Sequence, residues 1–133
     1  MVKDSELGHL RRCVELAVEA LENGDEPFGS VLVAADGTVP AEDRNRMAGG
    51  DHTRHPEFEL ARWSAAHARV RLGRIVYVAS SAQLTAWSAE SGAPQAPVRP
   101  LPVQEVAPGV AVEGPVPELA DEVRELHRRR LRS

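Results

Sequence analysis

The stretch from Asp51 to Glu57 contains the side chains best suited to chemistry, and it reads Asp-His-Thr-Arg-His-Pro-Glu. Imidazoles bind metal ions and exchange protons near neutral pH, and a nearby carboxylate can act as a general acid or base. Pro56 is suited to the first turn of a helix. The sequence therefore places a His and a Glu, His55 and Glu57, one residue apart at the start of a predicted helix.

An apolar hairpin precedes this stretch and gives it a context. It reads Pro-Phe-Gly-Ser-Val-Leu-Val over residues 27–33, turns at Asp36-Gly37 and ends at Asn45-Arg46. With the His-x-Glu unit, this order resembles the zinc-dependent nucleobase and nucleoside deaminases, whose hairpin reads P-F-G-A-V-L-V and leads to a substrate-binding Asn. The resemblance covers about residues 7–63, resumes at about 73–84, and is greatest to the guanine deaminase or general nucleoside deaminase branch.

The resemblance implies a role for each of four residues. His55 would be a zinc ligand, and Glu57 would carry protons between the zinc-bound water, the ring nitrogen and the leaving ammonia. Asn45 would form a hydrogen bond to the base or sugar, and Phe28 would stack on the ring. The implied reaction is hydrolytic deamination of a purine base or nucleoside. The implied fold is α/β, a cytidine deaminase-like three-layer sandwich, here with a shortened sheet and helices on both faces.

The chain departs from the family pattern between the two matching blocks. The family has a strand there, followed by a P-C-x-x-C unit whose cysteines complete the zinc site. This sequence has only the segment 64–72 at that place, and Cys13 is its one cysteine. We expect Cys13 to be a small buried apolar residue of the first helix. Zinc is therefore expected to be absent or weakly bound, and the chain is predicted to be a degenerate, inactive member.

Other interpretations of the same residues stay open. A zinc site could use His52, His55 and a third ligand from another chain or from the C-terminal arm, because a catalytic site needs three protein ligands. Glu57 could simply favour a helix start. Asn45 could be a turn residue that closes the strand, and Phe28 could be buried in the core.

Periodicity and turn residues define the elements that would position these side chains. The predicted order comprises helix 5–23, strands 28–35 and 38–45, helix 56–72, strand 74–80, helix 82–91 and helix 117–131. Strand 74–80 is expected beside strand 28–35 in one sheet. Seven of the ten prolines lie in 92–117, which predicts an extended arm with a short strand near 103–106. The predicted domains are 1–92, deaminase-like with a deletion near 64–72, and 93–133, an arm and helix packed on it.

Composition limits the classes of partner. The chain has 16 basic and 20 acidic residues and a net charge of −4, which argues against non-specific nucleic-acid binding. The arginines in 128–132 complement the negative end of a helix dipole. No window has the ~18 apolar residues of a membrane span, and the first residues do not resemble a signal peptide. We expect a cytoplasmic protein and, from the resemblance, a homo-oligomer.

Three functional hypotheses follow. The chain could be a non-catalytic module that binds a purine base or nucleoside, or that associates with other copies. It could be an active zinc deaminase whose ligands are completed by another chain. It could also be unstable, because loss of a central strand exposes sheet edges and apolar helix faces.

Overall fold

The computed structural model describes residues 2–46, 60, 63, 66, 74–92, 105 and 109–132. These residues include three α-helices and four short β-strands, so the mixed α/β class is confirmed. The chain divides into two compact units, one spanning Asp4–Arg71 and the other made of Met1–Lys3 and Leu72–Ser133. The division into 1–92 and 93–133 made from the sequence stays a prediction.

The first unit is built on α1 (Asp4–Glu22), within one residue of the helix predicted at 5–23. Its apolar stripe is buried and consists of Leu10, Val14, Leu16, Ala17 and Ala20. The helix ends where the Asn-Gly pair predicts. The side-chain amide of Asn23 donates to the Glu19 carbonyl at 2.8 Å, and Gly24 has a φ of 81°, which a residue without a Cβ adopts readily.

A β-hairpin follows α1, as predicted. β1 (Gly29–Leu32) pairs antiparallel with β2 (Ala41–Arg44), and Gly29 faces Arg44 across the ladder. In the connecting loop, the Asp36 carboxylate accepts the Thr38 amide at 3.0 Å. Both strands are shorter than predicted. β2 begins directly after Pro40, which has no amide hydrogen to give to a ladder.

Gly29 fixes how closely the hairpin lies against α1. A Cβ at this position would overlap the Cys13 carbonyl oxygen and would lie 2.6 Å from the Cβ of Leu16. An exposed ion pair joins the same elements further along, where the Arg12 guanidinium donates to both carboxylate oxygens of Glu42 at 3.0 and 2.6 Å. These hydrogen bonds lower the pKa of Glu42. The hairpin is therefore held on the helix at both strands.

The second unit contains β3 (Arg74–Val76), α2 (Ser81–Glu90), β4 (Ala111–Glu113) and α3 (Pro117–Arg132). Ser80 and Gln83 form a capping box at the start of α2. Within this unit, α2 and α3 meet where the rings of Trp87 and His127 lie 6.2 Å apart between centroids. Burial lowers the pKa of His127 to about 4. The helices predicted at 82–91 and 117–131 are confirmed.

Two predictions about strands are wrong. β3 pairs in parallel with β4, with Ile75 facing Val112, and β1 pairs with β2, so the described strands form two separate two-stranded sheets. The expected pairing of strand 74–80 with strand 28–35 is therefore not formed. The strand predicted near 103–106 is also wrong, because Glu105 is helical and the strand lies at Ala111–Glu113. The parallel partner of β3 is therefore β4, and not the strand 28–35 that the sequence predicted.

Candidate functional site

The structure describes two of the four predicted site residues. Phe28 directly precedes β1 and Asn45 directly follows β2, whereas His55 and Glu57 lie outside the described residues. The antiparallel register brings Phe28 and Asn45 to the same end of the hairpin. There the Asn45 amide donates to the Phe28 carbonyl at 3.1 Å, which extends the ladder by one residue. The two residues proposed to contact a substrate are therefore neighbours in space.

Burial differs between these two side chains. Asn45 is 0% exposed, and Phe28 is half-buried beside the fully buried Pro27. A buried amide keeps a fixed direction because it must satisfy its hydrogen-bonding groups within the protein or with a bound molecule. Small-molecule sites combine aromatic surface with a few polar groups held in this way. At the open end of the hairpin, Phe28 offers aromatic surface, whereas the Asn45 side chain is enclosed.

The alternative interpretations, in which Asn45 only closes the strand and Phe28 only fills the core, hold in part. The Asn45 backbone does close the hairpin, as a residue ending the strand would. Phe28 is half-buried, in contrast to the core residues of α1, which are almost fully enclosed. Backbone closure and ligand recognition are compatible, because the first uses the peptide groups and the second the side chain. The roles of both side chains stay predictions.

An ion pair that the sequence analysis missed lies beside Asn45. The Asp25 carboxylate and the Arg44 guanidinium are 3.3 Å apart, with side-chain exposures of 4% and 16%. The same Arg44 nitrogen donates to the Asn45 carbonyl at 3.2 Å. Asp25 is attached to α1 through its amide, which donates to the Ala20 carbonyl at 2.9 Å. A part-buried ion pair thus joins the turn after α1 to the last residue of β2.

Nothing in the sequence spacing indicates this pair. Asp25 and Arg44 are 19 positions apart. Asp25 follows the Asn-Gly pair that ends the first helix, and Arg44 precedes the motif residue Asn45. A short Gly-Asp-Glu-Pro connection is typical of a solvated corner, and an arginine at a strand end is typical of a surface. Only the antiparallel pairing of β1 with β2 brings the two charges together.

The described residues do not fit a zinc site. No group of three His, Cys, Asp or Glu side chains among them could hold a metal ion. Burial raises the pKa of Cys13 to about 11, so the thiol stays protonated near neutral pH, whereas a metal ligand is a thiolate. Both histidines of the motif stretch, His52 and His55, lie outside the described residues, as does Glu57.

Comparisons with known proteins add no family assignment. No family model matches the sequence, and a search of curated proteins found no match. In the described part of the chain, every helix falls short of the length and apolar character needed to cross a bilayer. The resemblance to the deaminases therefore stays a prediction from the sequence motifs.

Proposed function

We propose that this chain is a degenerate relative of the zinc-dependent nucleobase and nucleoside deaminases that binds a purine base or nucleoside without deaminating it. The observation that carries the proposal is the placement of Phe28 against Asn45 by the hydrogen bond between their backbones. The base would stack on the exposed part of Phe28, and the Asn45 side chain, which is 0% exposed in the free chain, would meet its polar edge only after becoming exposed on binding. Stacking of a base on an aromatic side chain contributes about 1–3 kcal/mol.

The local fold supports this assignment. The order of α1, β1, an Asp-Gly turn and β2 is what the resemblance implies for the start of a cytidine deaminase-like domain. The three-layer sandwich with helices on both faces of a shortened sheet remains part of the proposal. The proposed lack of catalysis rests on the ligand count, because the single cysteine is a protonated residue of α1. His55 and Glu57 would then be remnants of an ancestral site.

Calorimetric titration with guanine, guanosine and cytidine tests the binding. We expect saturable binding of a purine compound by protein prepared without added zinc. Phe28→Leu, which keeps an apolar side chain but removes the ring, should weaken binding by about 5–100-fold. Asn45→Ala should weaken it by about 10-fold or more, because it removes buried hydrogen bonds.

Asn23→Ala is a matched control for the second variant. It makes the same change in the same unit at the exposed end of α1, and it should leave binding unchanged. Equal affinities for wild type and both hairpin variants would overturn the proposal. Elemental analysis of zinc content distinguishes non-catalytic binding from the alternative of an active zinc deaminase. Close to one zinc per chain, together with deaminase activity, would indicate an active site completed by another chain.

A further inference from the structure

Both polar groups of the Asn45 backbone are held by residues of its own unit. Its amide donates to the Phe28 carbonyl at 3.1 Å, and its carbonyl accepts from Arg44 at 3.2 Å. Because the peptide groups on both sides of the Asn45 Cα are held, its backbone dihedral angles are restricted, and so is the direction in which its Cα–Cβ bond points. The first of these hydrogen bonds belongs to the ladder, whereas the second depends on one side chain.

Arg44 is fixed in turn by Asp25. The guanidinium nitrogen that reaches the Asn45 carbonyl also lies 3.3 Å from a carboxylate oxygen of Asp25. Asp25 immediately follows the end of α1, and its amide donates to the Ala20 carbonyl. The chain of contacts therefore runs from the buried face of α1, through Asp25 and Arg44, to Asn45.

The partial burial of this ion pair requires an explanation. Charges taken out of water lose their hydration, and a buried pair often stabilises a fold no more than apolar residues of the same volume. The two side chains are nevertheless 4% and 16% exposed. By contrast, the Arg46–Asp43 pair at the same end of β2 leaves its arginine 44% exposed, as a surface pair does. The part-buried pair is thus better explained by what it holds in place than by its own contribution to stability.

We propose that Asp25 and Arg44 are positioning residues that hold Asn45 in the orientation needed to bind the purine. This inference rests on the proposed function, since it names the residues that prepare the same site. A preorganised polar group binds more tightly because the ordering cost is met before the ligand arrives. In this role, one cationic nitrogen of Arg44 donates both to the Asp25 carboxylate and to the Asn45 carbonyl. A lysine ammonium is also cationic and can donate to two oxygens.

Two readouts test the proposal, and the first needs no ligand. Hydrogen exchange of the Asn45 amide, followed by NMR, reports how often its bond to the Phe28 carbonyl opens. We expect Arg44→Met to accelerate this exchange by about 10-fold or more and leave amides in the middle of α1 unchanged. The second readout is calorimetric affinity for guanosine, which should fall by a similar factor in the same variant.

Rescue and control variants separate positioning from general packing. Arg44→Lys should restore slow exchange and most of the affinity, whereas Arg46→Met, which breaks the neighbouring exposed pair, should change neither. If Arg44→Met alone unfolds because Asp25 is left unpaired, the double variant Asp25→Asn with Arg44→Met removes both charges and still lacks the donor. That double variant should keep a thermal transition and show the fast exchange.

The outcomes distinguish this proposal from the function on which it rests. Wild-type exchange at Asn45 in both donor-less variants would overturn the positioning role, whatever the affinity. An Arg44→Lys variant that behaves like Arg44→Met would also overturn it, because the charge donor would then not be the cause. If the wild type binds no purine but Arg44 still controls the Asn45 amide, the proposed function fails and the positioning contact stands.

Discussion

His127 should make the stability of the second unit depend on pH. Its ring packs against Trp87 between α2 and α3, and burial lowers its pKa from the ordinary 6.5 to about 4. The folded state therefore holds the neutral imidazole, whereas the unfolded chain binds a proton as the pH falls through 6.5. The stabilising contribution is complete above about pH 6.5 and is lost as the pH falls towards 4.

The magnitude follows from the two pKa values. Each pKa unit corresponds to 1.36 kcal/mol, so the difference between 6.5 and about 4 corresponds to at most about 3 kcal/mol. Urea unfolding at a series of pH values between 7 and 4 measures the loss directly. The wild type should lose up to about 3 kcal/mol more over this range than His127→Gln, which keeps a polar side chain but has no titrating group.

An NMR titration of the His127 ring protons gives the same pKa independently. The resonance is assigned from its disappearance in His127→Gln, and its midpoint should lie near 4. His9→Gln is the control, since it leaves the Trp87 contact in place and should leave the His127 midpoint unchanged. A midpoint near 6.5, or parallel stability curves for wild type and His127→Gln, would refute the proposed burial of the neutral ring.

Three further predictions concern close packing and reactivity. Gly29→Ala should destabilise the first unit by about 1–3 kcal/mol in chemical denaturation, because the added Cβ would overlap the Cys13 carbonyl; an unchanged midpoint would contradict the close approach. Gly114→Ala should destabilise the second unit in chemical denaturation, because Gly114 has a φ of 138° and an added Cβ would meet the Tyr77 backbone and ring. Gly109→Ala is the control and should leave the denaturation midpoint unchanged, because a Cβ there meets nothing within 4 Å. Cys13 should react with iodoacetamide about 100-fold more slowly in the folded protein at pH 8 than in urea, because burial raises its pKa to about 11; equal rates would show that the thiol is accessible and ionised.

Local signals predicted the three described helices and the hairpin well. The apolar stripe of α1 and the Asn-Gly pair after it gave both helix ends within one residue, and Asp36-Gly37 gave the turn. These features depend on neighbours in sequence, where propensity and periodicity act directly. The first helix and the hairpin could therefore be assigned before their packing was known.

Strand pairing could not be predicted in the same way. The partner of β3 is decided by which strand reaches it across a long connection, and β4 is only three residues long. Its Val-Ala-Val run between Gly109 and Gly114 was a weak signal amid prolines. The Asp25–Arg44 pair was missed for a related reason, because tertiary pairing alone brings the two charges together.

The most direct test of the central claim is an NMR titration of isotope-labelled protein with guanosine, following the side-chain amide of Asn45. We predict a saturable shift of this resonance and of the backbone amides of Phe28 and Gly29, with no zinc present. Asn23, whose side-chain amide lies at the exposed end of α1, should not shift and serves as the internal control. No shift at Asn45 up to millimolar guanosine, or shifts confined to the second unit, would contradict a purine site at the open end of the hairpin.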